Sequence, residues 1–110
     1  MNSKALKYIL DLESIIDEIE LILVKVDNDF NKYQSDFIVK RAIERALEII
    51  GEAINKLIQI EPNIKLTNYK KIIGLRNLTI HSYDTVEDEI IWGIIQKDIP
   101  KLKEDIKNIK

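Results

Sequence analysis

Ile43-Glu44-Arg45-Ala46-Leu47-Glu48-Ile49-Ile50-Gly51-Glu52-Ala53-Ile54-Asn55-Lys56-Leu57-Ile58 decides the fold class. Ile43, Ala46, Leu47, Ile50, Ala53, Ile54, Leu57 and Ile58 recur at spacings of three and four, the period of one buried helix face. Arg41, Glu44, Arg45, Glu48 and Glu52 fall between them. Ser35 or Asp36 can cap this helix, and the pattern runs to about Ile60. Gly51 sits mid-helix, where glycine costs about 1 kcal/mol relative to alanine. It is either a tolerated glycine or a point where a facing helix brings its backbone close.

The same period extends outward in both directions. Upstream, Ser3 can cap a helix to about Val26, with Ile9, Leu12, Ile16, Ile19 and Leu23 in one row. Ile15, Leu21, Ile22 and Val24 widen that row, so this helix should meet more than one neighbour or a second subunit. Asp27-Asn28-Asp29 breaks the pattern, and Phe30 and Tyr33 fall in a polar connection ending at Ser35. Downstream, Pro62 follows the central helix. Thr67 can cap a short helix from Asn68 to about Ile80, with Tyr69, Ile72, Ile73 and Leu75 on its apolar side. Thr85-Val86-Glu87-Asp88 has the form of a capping box with Asp for the usual Glu. It opens a last helix lined by Ile91, Ile94, Ile95, Ile99, Leu102, Ile106 and Ile109. Pro100 should kink or divide that helix near Asp98. No stretch alternates with the strand period. The expectation is an all-α, up-and-down four-helix bundle over residues 1–110 as a single domain, with a kinked or divided last helix at Pro100.

Bulk properties exclude several functions. The chain has 110 residues, 45% hydrophobic and 33% charged, which suits one core. It has no cysteine and one histidine, so neither a disulfide framework nor a structural zinc site is expected. Asp11, Glu13, Asp17, Glu18 and Glu20 interrupt the apolar residues near the N-terminus. No signal peptide or membrane span is expected, and a cytoplasmic protein follows. The net charge of −2 argues against non-specific nucleic-acid binding, which needs clustered cations. Any RNA-directed chemistry must therefore use a local patch or a subunit cleft.

The chemistry concentrates in Leu75-Arg76-Asn77-Leu78-Thr79-Ile80-His81-Ser82-Tyr83. This stretch holds the only histidine and one of three arginines in a chain with fourteen lysines. A chain that uses lysine for generic positive charge points, with an arginine, to planar bidentate binding of an anion such as phosphate. His81 is the side chain able to transfer a proton near neutral pH. On an ideal helix, at ~100° per residue, Asn77 and His81 share a stripe, whereas Arg76 and His81 diverge by roughly 140°. Either the helix ends near Ile80, or a two-fold axis brings a second copy opposite. By composition alone, a lone histidine near a helix end is more often a C-cap than a catalyst, because its cation suits the C-terminal dipole.

Arg76, His81 and Tyr83 form an R-x-x-x-x-H-x-Y pattern that resembles the signature of HepT-like toxins of the HEPN superfamily. Ile49-Ile50-Gly51-Glu52-Ala53 upstream, and Ile90-Ile91-Trp92 through Asp98-Ile99-Pro100 downstream, extend the resemblance over nearly the whole chain. Ser82 stands where relatives often carry Gly. The resemblance implies an HEPN-like homodimer whose motifs line a shared cleft, each copy of every residue occurring twice. It implies an endoribonuclease that needs neither metal nor cofactor: a ribose 2′-hydroxyl attacks the adjacent phosphate and leaves a 2′,3′-cyclic phosphate. In that reading His81 serves as acid and base, Arg76 binds phosphate, and Asn77 orients His81 or bonds a phosphate oxygen. The resemblance also implies an MNT-type nucleotidyltransferase antitoxin that adenylylates Tyr83, adding bulk and negative charge to the cleft.

Other residues carry two readings each. Lys70 and Lys71 can contact RNA phosphates or stand solvated. Arg41 and Arg45 can extend an RNA surface or pair with Glu44 and Glu48. Trp92 fits core or interface better than a base-stacking platform. Glu87, Asp88 and Glu89, and the acids from Asp11 to Glu20, read as solvated faces. Two other functional classes remain open: a non-catalytic HEPN subunit that binds nucleotides or presents a partner enzyme with its substrate, and a purely structural helical dimer.

Overall fold

The structure is a computed structural model that describes residues 2–67, 69–79 and 85–110, with only the backbone described for 75–79, 85 and 86. It is an all-α helical bundle. Helix α1 spans Ser3–Lys25, α2 Phe30–Ser35, α3 Phe37–Ile60, α4 Tyr69–Thr79, α5 Thr85–Gly93 and α6 Ile99–Ile109, with a π-helical stretch at Ile94–Asp98 joining the last two.

The helix starts follow capping chemistry. Asn2, not Ser3, caps α1: its side-chain oxygen accepts from the Ala5 N–H at 2.8 Å. Asp36, rather than Ser35, caps α3 by accepting from the Val39 N–H at 3.1 Å. Helix α1 stops where Asp27 and Asn28 take left-handed φ values of 55° and 51°, a region Asp and Asn enter more readily than most residues. The expected polar connection at 30–35 is instead α2, a short helix capped by Asp29. Its periodicity is invisible over six residues, but it turns Tyr33 fully inward.

The core forms mainly between α1 and α3. Ile9, Leu12, Ile16 and Ile19 meet Ile43, Leu47, Ile50, Ile54 and Leu57, all buried, as their spacing predicts. Ile15 and Ile22 pack partly against this core, whereas Leu21 and Val24 lie exposed. The last helix lies across α1. Lys103 reaches Glu20 at 2.7 Å and Lys110 reaches Glu13 at 3.0 Å. The acids of α1 are therefore surface residues, and several are ion-paired.

Pro100 divides the last helix at the expected place, by a change of register rather than a break. Proline has no N–H to give to residue 96. The Ile99 N–H bonds the Ile94 carbonyl, one residue further back than in an α-helix, and α6 begins with Pro100 in its first turn.

Gly51 is buried because α4 lies against it: a Cβ there would sit 3.9 Å from the Ile72 carbonyl oxygen and the Ile73 Cα. That is ordinary contact for one methyl group and leaves no space for more. Gly51→Ala should hold or raise stability, by up to about 1 kcal/mol from helix propensity. Gly51→Leu should lower it by about 1–3 kcal/mol through overpacking. Urea unfolding of both variants checks this, and a Gly51→Leu protein as stable as wild type would contradict the close approach.

Candidate functional site

The motif-bearing segment is held from both sides by α3. On one side, α4 packs on Gly51 and buries Ile72. The backbone of Arg76 and Asn77 lies in the C-terminal part of α4. His81 and Tyr83 lie outside the described residues, between the end of α4 at Thr79 and the start of α5 at Thr85.

On the other side, the first turn of α5 enters the protein rather than facing water. Glu87 and Asp88 are buried, which corrects their reading as solvated; Glu89 alone of the three is exposed. Their place in a first helical turn is favoured by the dipole, but the pull inward comes from α2 and α3. Lys40 of α3 donates to the Asp88 carboxylate at 3.0 Å, largely out of solvent. Next to it, Trp92 packs on Tyr33 with ring centroids 5.2 Å apart and meets Phe30 edge-on at 5.7 Å. Trp92 thus belongs to an aromatic core cluster. The Tyr33 hydroxyl is buried without a hydrogen-bond partner among the described residues. Burial, then the nearby Asp88, Glu44 and Glu87 carboxylates, push its pKa well above the tyrosine range.

The other candidate residues lie on two surfaces. Arg41 bonds Glu44 at 3.3 Å and Arg45 bonds Glu48 at 3.1 Å along the outer side of α3. The Arg45–Glu48 pair is exposed, and such a pair is worth only about 0.2–0.5 kcal/mol, so Arg45 stays exchangeable for another anion, whereas Glu44 is largely buried. Lys70 and Lys71 are exposed on α4.

Lys71 also lines a groove of about 520 Å³ between α4 and the α5–π segment, together with Gly74, Glu89, Ile90, Gly93, Ile94, Lys97 and Asp98. Sequence reasoning missed Lys97 and this groove. The available signal was a glycine on each side, Gly74 and Gly93, ahead of the register change at Pro100. The groove also lies in the basic part of the chain. Residues 1–61 carry twelve acidic and eight basic side chains, whereas residues 62–110 carry seven and nine. The overall negative charge therefore hides a cationic half, which contains the motif.

The family description "Ribonuclease HepT-like" matches residues 6–109. The chain belongs to the HepT-like ribonuclease family. A candidate RNase of Methanocaldococcus jannaschii is 37% identical over 98 residues, covering 87% of this chain and 86% of the relative. A candidate RNase of Caldanaerobacter subterraneus subsp. tengcongensis is 37% identical over 100 residues, covering 89% of each. A Thermococcus cleftensis protein named "Probable ribonuclease HepT" is 32% identical over 104 residues, covering 90% of this chain and 92% of the relative. No solved structure gives a significant match. Among the described residues, no helix of this HepT-like chain is long and apolar enough to cross a membrane.

Tyr33 gives a direct check on the wall that anchors α5. In the unfolded chain its hydroxyl ionises near pH 10, whereas the folded site holds the proton. Below pH 10 both states are protonated and stability is unaffected. Above it the unfolded chain binds fewer protons, so stability falls as pH rises, at up to about 1.4 kcal/mol per pH unit. Chemical denaturation at pH 9, 10 and 11 should show that slope in wild type, and a shallower one in Tyr33→Phe. Equal slopes would mean that Tyr33 ionises while folded.

Proposed function

We propose that this HepT-like protein is a metal-independent endoribonuclease toxin, a single HEPN-like domain acting in the cytoplasm as a homodimer. The observation that carries the reading is the R-x-x-x-x-H-x-Y pattern at Arg76, His81 and Tyr83, in a chain matched almost end to end by a ribonuclease family. The reaction is transesterification: the 2′-hydroxyl oxygen bonds the adjacent phosphorus, and the bond to the 5′-oxygen breaks. His81 takes the 2′-hydroxyl proton, and a protonated His81, supplied by the second subunit, gives one to the departing 5′-oxygen. Arg76 holds the non-bridging oxygens as negative charge gathers on them, and Asn77 orients His81 or adds a further donor. Lys70 and Lys71, with Arg41 and Arg45, supply outlying phosphate contacts.

The two-fold arrangement is what the HEPN resemblance implies. Arg76 lies in α4, and His81 lies after the end of that helix at Thr79, outside the described residues. Two motifs across a symmetry axis offer each phosphate an arginine and a histidine from different chains. Control follows from Tyr83. Adenylylation by an MNT-type nucleotidyltransferase antitoxin would bring an AMP phosphate into a cleft built for RNA phosphate and repel the substrate.

One experiment with three arms tests the reading. Wild type, His81→Ala and wild type co-expressed with its nucleotidyltransferase partner are incubated with total RNA in EDTA. Wild type should cleave, and His81→Ala should be slower by roughly 100-fold or more. The co-expressed protein should be inactive and carry AMP on the Tyr83 peptide by mass spectrometry. An His81→Ala protein that cleaves at the wild-type rate would overturn the catalytic assignment, and AMP found elsewhere would overturn the control.

A further inference from the structure

The groove between α4 and the α5–π segment combines apolar, cationic and acidic side chains. Its floor is apolar, from Ile90 and Ile94. Gly74 and Gly93 keep it open: a Cβ at either would meet nothing within 4 Å. Lys71 and Lys97 stand on its two sides, both exposed, and neither is ion-paired among the described residues. Lys7, Lys32, Lys40, Lys103 and Lys110 each hold a carboxylate, whereas Lys71 and Lys97, like the exposed Lys70 and Lys101, hold none among the described residues. Asp98 lines the same groove at 7% exposure, and makes no hydrogen bond or ion pair among the described residues. Its oxygens are not among the sealed, unpartnered side-chain atoms of the described residues, so they reach the groove and can accept from a ligand there. The π-helical register at Ile94–Asp98 is what places Ile94, Lys97 and Asp98 together along this wall.

An apolar floor, two flanking cations and an acceptor-only carboxylate at Asp98, with the exposed Glu89 also in the lining, fit one nucleotide of single-stranded RNA. A base can lie flat on Ile90 and Ile94. Its phosphate can bridge toward Lys71 or Lys97, and an exocyclic amino group can donate to Asp98. A protein partner could use the same apolar floor, but the unpartnered acceptor of Asp98 beside two lysines without ion pairs among the described residues favours a ligand that carries both a donor and a phosphate.

We propose that this groove is a nucleotide subsite for the RNA next to the cleaved phosphate, and that Asp98 selects bases bearing an exocyclic amino group, adenine, cytosine or guanine, over uracil. The proposal rests on the ribonuclease reading for the word "cleaved", but the binding it describes is measured without cleavage. The groove shares α4 with Arg76 and Asn77, so a nucleotide held there lies on the helix that carries the phosphate-binding arginine.

The test uses fluorescein-labelled, 2′-O-methyl ten-mers of A, C and U, which lack the attacking hydroxyl and cannot be cut by 2′-attack. Anisotropy is read with wild-type protein verified by mass as unmodified. Wild type should bind the A and C ten-mers roughly tenfold more tightly than U. Gly93→Leu, which fills the groove from a position facing open space, should weaken all three and erase the difference between them. Asp98→Ala should remove the preference while leaving U binding unchanged, and Lys97→Ala should weaken all three. On cleavable RNA, Gly93→Leu should raise KM with kcat nearly unchanged. A folded Gly93→Leu protein, checked by circular dichroism, that binds all three as wild type does would overturn the subsite, even if wild type cleaves RNA. Base-selective binding by a protein that never cleaves would keep the subsite and overturn the ribonuclease reading instead. Loss in Gly93→Leu of binding to the nucleotidyltransferase partner, with RNA binding intact, would assign the groove to protein docking and overturn the proposal.

Discussion

Helix α3 is the fixed body against which the motif-bearing segment is set, and two contacts on it do that work. The first is the approach of the α4 backbone to Gly51, which lets the helix carrying Arg76 and Asn77 lie closer than a side chain larger than a methyl group would allow. The second is the bond from Lys40 to the buried Asp88, which holds the first turn of α5 where the chain leaves the motif. Removing one member of such a pair leaves a charge stranded, at a cost of about 3 kcal/mol. That asymmetry makes a buried pair a positional device even where its net contribution to stability is small. The aromatic contact of Trp92 with Tyr33 and Phe30 fills the space behind it. Both ends of the segment are thus referred to one rigid helix, which is what a site needing ångström-level placement requires.

Charge placement lets an acidic chain accommodate the proposed RNA substrate. The acids of α1 are partly consumed by lysines of α6, as in Glu20 with Lys103 and Glu13 with Lys110. Lys71 and Lys97, on α4 and the π-helical stretch, are left without such partners among the described residues. Net charge sets non-specific attraction over a whole surface, but a phosphate responds to cations within about a Debye length, roughly 8–10 Å. A protein of this kind can repel bulk RNA weakly and still hold one strand in one place.

Much of the fold was legible in the residues, because a helix period of three and four leaves a long trace. The row from Ile43 to Leu57 is buried as its spacing requires, and Pro100 marks the division of the last helix to within a residue or two. What escaped was short or non-local. Six residues of α2 are too few to show a period, so Tyr33 read as part of a polar connection. Glu87 and Asp88 carry the mark of a solvated first turn, and only the folded chain brings Lys40, forty-eight positions from Asp88, to meet the latter. Asn2 displaced Ser3 as cap because either side chain can accept at a helix start. The groove depends on two glycines from different helices, a pairing that no local window contains. The motif was legible as chemistry from its composition, since one histidine and one arginine stand together in a lysine-rich chain. Its side-chain geometry at Arg76, Asn77, His81 and Tyr83 lies outside what is described.

The chemical identity of the RNA ends is the most direct test of the central claim, because it reports which atom attacked phosphorus. RNA cut by the unmodified protein in EDTA should carry 2′,3′-cyclic phosphate at the 3′ side of the break and a 5′-hydroxyl on the other. Fragments ending in 3′-hydroxyl and 5′-phosphate, formed only with a divalent metal, would mean that water and not the ribose is the nucleophile, and would contradict the account of His81 and Arg76.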